Sequence, residues 1–170
     1  MLALDNPRWA RLQGNFSSGD EVAKLLERAF NEVPFETWYD DLFQELCHQY
    51  SVSEAAYAAL PHLVVLAERS PEHLNPLLVL IGSCCATAQG PEAPTIPDGL
   101  EAGWYSAAEA ALPLVCKALT MSGLEKSEFR YLVFTAAALQ GHPALAYYIE
   151  GYDVEIECPN CGLLIDPAGH

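Results

Sequence analysis

A chain of 170 residues with 51% apolar content is long enough for one domain with its own core and too hydrophobic to remain unfolded. Its 23 acidic against 8 basic residues leave a net charge of −15, which repels phosphate backbones and anionic headgroups and argues against nucleic-acid or membrane binding. The longest apolar run, Leu77 to Ala88, is too short to span a bilayer, and Asp5, Arg8 and Arg11 interrupt any leader-like start, so a cytoplasmic protein is expected.

In chain order, Asp5-Asn6-Pro7 reads as the start of a short helix to Gln13, stopped by Gly14. Ser18 and Glu21 have the spacing of a capping box opening a helix over 20–30, with Val22, Leu25, Leu26, Ala29 and Phe30 on one buried face. After Pro34 a third helix is expected over 36–49. Trp38, Tyr39, Leu42, Phe43 and Leu46 line one side of it, and Glu36, Asp40, Asp41 and Glu45 the other. Ser51 or Ser53 would cap a helix running to Arg69 and kinked at Pro61. Residues 71–88 form a helix apolar nearly all round and therefore central, and the Pro/Gly-rich stretch 89–99 is a loop. Asp98 is placed to cap a helix over 100–121 with Pro113 inside it, Ser127-Glu128 open another to Gln140, and a short one spans 143–149. From Val154 the pattern alternates as a strand and leads into Cys158-Pro-Asn-Cys161-Gly162.

One unit occurs twice. Ala55-Ala56-Tyr57-Ala58-Ala59-Leu60-Pro61 is matched fifty-two residues later by Ala107-Ala108-Glu109-Ala110-Ala111-Leu112-Pro113, six of seven positions being identical. Small residues let helices approach closely, and paired helices of this kind bury their faces by stacking. On these units the chain resembles HEAT/armadillo-like helical-repeat proteins. With Cys47-His48-Gln49 and the terminal Cys-Pro-x-Cys it also resembles small uncharacterised bacterial helical proteins. The expected fold is all-α, a short HEAT/armadillo-like helical-repeat stack of seven or eight helices over 1–152, with a small C-terminal β-hairpin knuckle over 153–170.

Cys158 and Cys161 carry the most specific spacing in the chain. A Cys-Pro-x-Cys-Gly turn aims both sulfurs at one point, as in one half of a structural zinc site. Completing four ligands calls on Cys47, His48, Cys84, Cys85, Cys116, His142, His170 or a second subunit's knuckle. Cys47 and His48, read as helix neighbours about 100° apart, converge poorly on one ion. A metal-free turn and a redox dithiol are the alternatives to a bound zinc ion. Cys84, Cys85 and Cys116 read as core residues, since a buried cysteine behaves as a small hydrophobe. His48 and His62 read as structural histidines.

Glu36, Asp40, Asp41 and Glu45 read as a solvated face or a partner contact rather than an acid/base pair, with no lysine or arginine near in sequence. No phosphate loop, His-Glu-x-x-His, Gly-x-Ser-x-Gly or Ser-x-x-Lys occurs. The expected function is a non-enzymatic interaction module whose acidic helical face binds a basic protein surface, an immunity protein being one concrete version. The alternatives are a small zinc-binding or thiol-redox protein using the terminal cysteines, and a structural subunit of a homodimer or larger homo-oligomer.

Overall fold

The computed structural model describes residues 1–31 and 34–151, together with the backbone of strand residues 156–157 and 164–165. It is an all-α fold of seven packed helices carrying small antiparallel strand pairs. In chain order these are α1 (Gly19–Phe30), α2 (Tyr39–Leu46), strands β1 (Cys47–His48) and β2 (Ser51–Val52), then α3 (Glu54–Arg69), α4 (Leu74–Thr87), α5 (Glu101–Leu119), α6 (Lys126–Leu139) and α7 (Pro143–Glu150). Ile156–Glu157 (β3) pairs antiparallel with Leu164–Ile165 (β4).

Near the N-terminus the expected helix over 7–13 contracts to a single 3-10 turn, Trp9–Arg11. Its purpose is to seat Trp9, which is wholly buried and donates its indole N–H to the Ala3 carbonyl at 2.9 Å. Ser18 is the N-cap of α1, but its side chain makes no capping hydrogen bond. Glu21, the other half of the expected box, instead forms an ion pair with Lys24 at 2.6 Å. The reciprocal box forms elsewhere, at α6, where the Glu125 N–H donates to the Glu128 carboxylate at 2.9 Å. That helix therefore begins before Ser127. At α5 Leu100 is the N-cap in place of Asp98, whose backbone carbonyl accepts from the Arg8 guanidinium.

The largest difference lies at 36–52. A 3-10 turn, Phe35–Thr37, precedes a helix that stops at Leu46. The chain then folds back as a hairpin pairing Cys47 with Val52 and His48 with Ser51. Its two turn residues, Gln49 and Tyr50, both have left-handed backbone, φ +46° and +64°. Two-residue hairpin turns favour that conformation, but they normally place Asn or Gly there, so nothing in Gln-Tyr announces the turn.

The core is layered around α3 and α4. α3 passes through Pro61 without ending, and every residue from Ala55 to Leu60 is buried. α4 meets α3, α5, α6 and α7. It packs tightly on α6 at Gly82, where a Cβ would lie 2.4 Å from the Thr135 hydroxyl and 2.9 Å from its Cα. Only glycine permits that backbone separation. The Thr135 hydroxyl is shared between the carbonyls of Leu78 on α4, at 3.2 Å, and Tyr131 on its own helix, at 2.9 Å. α5 lies against α3, with Gly103 facing the ring of Pro61.

Candidate functional site

The acidic segment predicted from sequence is held in place by aromatic packing. The Phe35 ring stacks on Tyr39 at 4.5 Å and on His73 at 4.1 Å, and the Tyr39 hydroxyl donates to the Pro76 carbonyl at 2.9 Å. This ties the 3-10 turn and the start of α2 to α4 and leaves Glu36, Asp40 and Asp41 exposed. None of the three has a hydrogen-bond or ion-pair partner among the described residues. Nearby cations are engaged otherwise: the Arg28 guanidinium donates to the Thr37 carbonyl, and that of Arg69 sits 5.7 Å from the Phe30 ring centroid.

Glu45 plays a different part. Its carboxylate accepts the backbone N–H groups of Phe16 and Ser17, each at 3.1 Å, while its own carbonyl accepts from Asn15 at 3.0 Å. It clamps the loop 14–17 onto the end of α2, so three of the four predicted carboxylates face solvent and the fourth works inside the fold.

His62 and His48 are both structural in their contacts. His62 is buried between Trp9 and Phe30, with centroids at 6.2 and 5.9 Å, and its Nε2–H donates to the Leu2 carbonyl at 2.8 Å. Burial holds its imidazole below the ordinary histidine pKa, a shift the Leu2 carbonyl partly opposes. His48 lies edge-on to Phe16 at 4.8 Å and bonds Gln44 through Nδ1. Cys47 and His48 are consecutive on a strand, not a helix, and point to opposite faces: Cys47 is buried, His48 half-buried. They do not jointly face one ion. Cys158 and Cys161 lie outside the described residues, and so does the zinc site expected there. Among the described residues no group of three or more Cys, His, Asp or Glu side chains gathers as a metal site.

Cys116 corrects an expectation. It occupies the outer side of α5 and is exposed, whereas Cys84 and Cys85 are buried as predicted.

A cleft that sequence reasoning missed opens beside the β1–β2 turn. A cavity of about 590 Å³ lies between that turn, the loop after α4 and the end of α7, with Glu92, Tyr147 and Glu150 in its wall. A second, of about 260 Å³, shares Tyr50, Thr87, Tyr147 and Glu150 with it and reaches inward to Cys47. Tyr50 packs edge-on to Tyr147 at 5.5 Å. Thr87 stands at the junction. Its hydroxyl donates to the Ser83 carbonyl at 2.8 Å, meets the Tyr147 hydroxyl at 3.4 Å and lies 3.5 Å from the Cys47 sulfur.

The neighbouring Cys84 thiol on α4 holds the Cys47 thiol below the ordinary value; the Thr87 hydroxyl acts the same way, and burial and the Glu150 charge oppose. Cys84 is pushed well above the ordinary thiol value by the neighbouring Cys47 thiol and by complete burial. Of this pair, Cys47 is the one that lines a cavity, and its surroundings favour its thiolate over that of Cys84. Burial raises the Glu150 carboxyl, against the pull of Arg130. The arrangement offers a thiol, two hydroxyls and a carboxyl at a solvent-reaching cleft. Its signal in the sequence was slight: Cys47 and Cys84 lie on separate elements, and only the fold brings them together.

No protein-family model, curated protein or solved structure matches the chain. No helix among the described residues is long and apolar enough to cross a membrane.

Proposed function

We propose that this chain is a non-enzymatic interaction module that receives a basic protein surface on its acidic helical face, as an immunity protein receives a cationic toxin. The observation that carries the reading is the row Glu36, Asp40 and Asp41: exposed carboxylates on an aromatically braced scaffold, with no cation partner among the described residues. With the backbone that carries them held in place, only the carboxylate side chains have to be ordered on binding, and a net charge of −15 would steer a basic partner towards them. Glu45 supports the face from beneath and is not part of the contact. The two matched proline-bearing helices, lying side by side, favour a HEAT-like stack as the platform.

The test is affinity capture from the native host with the wild-type chain and with Glu36→Lys, Asp40→Lys and Asp41→Lys combined. The expected outcome is one basic partner held by wild type, weakened by salt, and bound at least about 100-fold less tightly by the triple variant. Equal binding by both removes this face from the interface.

A second reading, a homodimer, draws support from the large apolar side chains exposed on α6 and α7, namely Phe129, Leu145 and Tyr148. Light scattering separates monomer from dimer.

A further inference from the structure

The acidic face accounts for neither the strained hairpin nor the thiol beneath it. We propose that Cys47 is a hydroperoxide-reactive thiol and that Cys84 resolves its oxidised form, so that the cleft beside the β1–β2 turn is a site of reversible disulfide formation. This is independent of the binding role proposed above.

The argument is geometric. Cys47 forms the inner end of a cavity of about 260 Å³ that joins the wider cleft, space enough for hydrogen peroxide to reach its sulfur. The residue is only 6% exposed, so larger reagents are kept off. The Thr87 hydroxyl, 3.5 Å from the sulfur, can turn its proton from the Ser83 carbonyl to a thiolate there, and the Tyr147 hydroxyl stands beside it for a peroxide oxygen. Cys84 is wholly buried on α4, which packs against β1, and it lies one helical turn before Thr87, the residue whose hydroxyl meets the Cys47 sulfur, so the second thiol is on the same helix face and out of reach of the oxidant. The hairpin bearing Cys47 turns through Gln49 and Tyr50, two non-glycine residues held at positive φ.

In the first step the Cys47 thiolate attacks one oxygen of the peroxide. An S–O bond forms and the O–O bond breaks. The leaving oxygen departs with the electron pair and takes a proton, giving water from hydrogen peroxide. Cys47 becomes a sulfenic acid, oxidised by two electrons as the peroxide is reduced by two. In the second step the Cys84 sulfur attacks that of Cys47, the S–S bond forms, and the S–O bond breaks. The hydroxyl leaves with the Cys84 proton as a second water. Two thiols and one peroxide thus become one disulfide and two waters, and an external thiol reverses the change.

The experiment treats the full-length protein with equimolar hydrogen peroxide at neutral pH and maps every cysteine by peptide mass spectrometry. Exposed Cys116 serves as the internal reference for an unassisted thiol. The expected result is a Cys47–Cys84 disulfide forming at least about tenfold faster than Cys116 is oxidised. Cys84→Ser should halt the reaction at a sulfenic acid on Cys47 that dimedone traps, and Cys47→Ser should abolish both products. Thr87→Val removes one donor without removing a sulfur, and should slow the first step and move its pH profile upward. Circular dichroism identifies variants that keep their helices, and the wild-type rate comparison needs none of them. Oxidation of Cys47 no faster than that of Cys116, or a disulfide to any cysteine other than Cys84, overturns the proposal.

Discussion

α3 and α5 contain nearly the same seven residues, yet they occupy different layers. In α3 six of the seven residues, Ala55 to Leu60, are interior and Pro61 is half-buried, and the Tyr57 ring packs edge-on to Trp104 of α5 at 4.7 Å. In α5 only Ala107 and Ala111 of the unit are buried, and Glu109, Ala110 and Pro113 are exposed. The residues that differ decide the layer: Tyr57 answers to Glu109, His62 to Leu114 and Val64 to Cys116. A shared Ala-rich unit makes a helix that allows close approach. Whether neighbours cover it on every side depends on the polar residues interleaved with it, and Glu109 and Lys117 give α5 a wet face.

The sharpest way to probe this difference uses the one large residue common to both copies. Leu60 is fully buried and Leu112 half-buried. Leu60→Ala should destabilise the protein by about 3–4 kcal/mol and Leu112→Ala by about 1 kcal/mol, as measured by urea unfolding. Equal losses would place the two helices in equivalent layers.

A smaller effect comes from the next position but one. His62 is buried and its imidazole is held below the unfolded value of about 6.5, so between the two values the unfolded chain binds the proton first. Its contribution is complete above about pH 6.5 and is lost as pH falls through the folded-state value. His62→Leu copies the residue that α5 has there. It should flatten this part of the curve, so that wild type loses more stability than the variant between pH 6.5 and pH 5. Parallel melting curves would mean that His62 titrates as it does in the unfolded chain.

Much of the helical plan was legible in the sequence because apolar spacing and proline positions are local signals. The helix of residues 20–30 and the central apolar helix ending at Thr87 follow directly from them. The hairpin at 47–52 was hidden because Gln49-Tyr50 is a costly occupant of a left-handed turn, and propensity alone continues the helix through it. The caps misled for a similar reason. Ser18 had the right spacing, but its partner Glu21 found Lys24 on the adjacent turn.

The candidate sites divide along the same line. Carboxylates on consecutive helical turns can be read from spacing, so Glu36, Asp40 and Asp41 were visible as a face. That Glu45 serves loop 14–17 was not visible, since its partners lie 28 and 29 residues away. Neither was the meeting of Cys47 with Thr87, forty residues apart, which depends on α4 docking against β1. Cys116 read as core because cysteine suits a core as a small hydrophobe, and its place in the repeated unit matches the buried Val64. The exposed side of α5 settles the matter.

The most direct test of the contrast between the two helices is thiol alkylation of a Val64→Cys variant under native conditions, followed site by site. Position 64 is 5% exposed in α3, and Cys116 occupies the matching place on the open side of α5. Cys116 should label at the rate of a free thiol, and position 64 at least about 1,000-fold more slowly, at the pace of global unfolding. Comparable labelling at the two positions would contradict the assignment of one copy to the interior and the other to the surface.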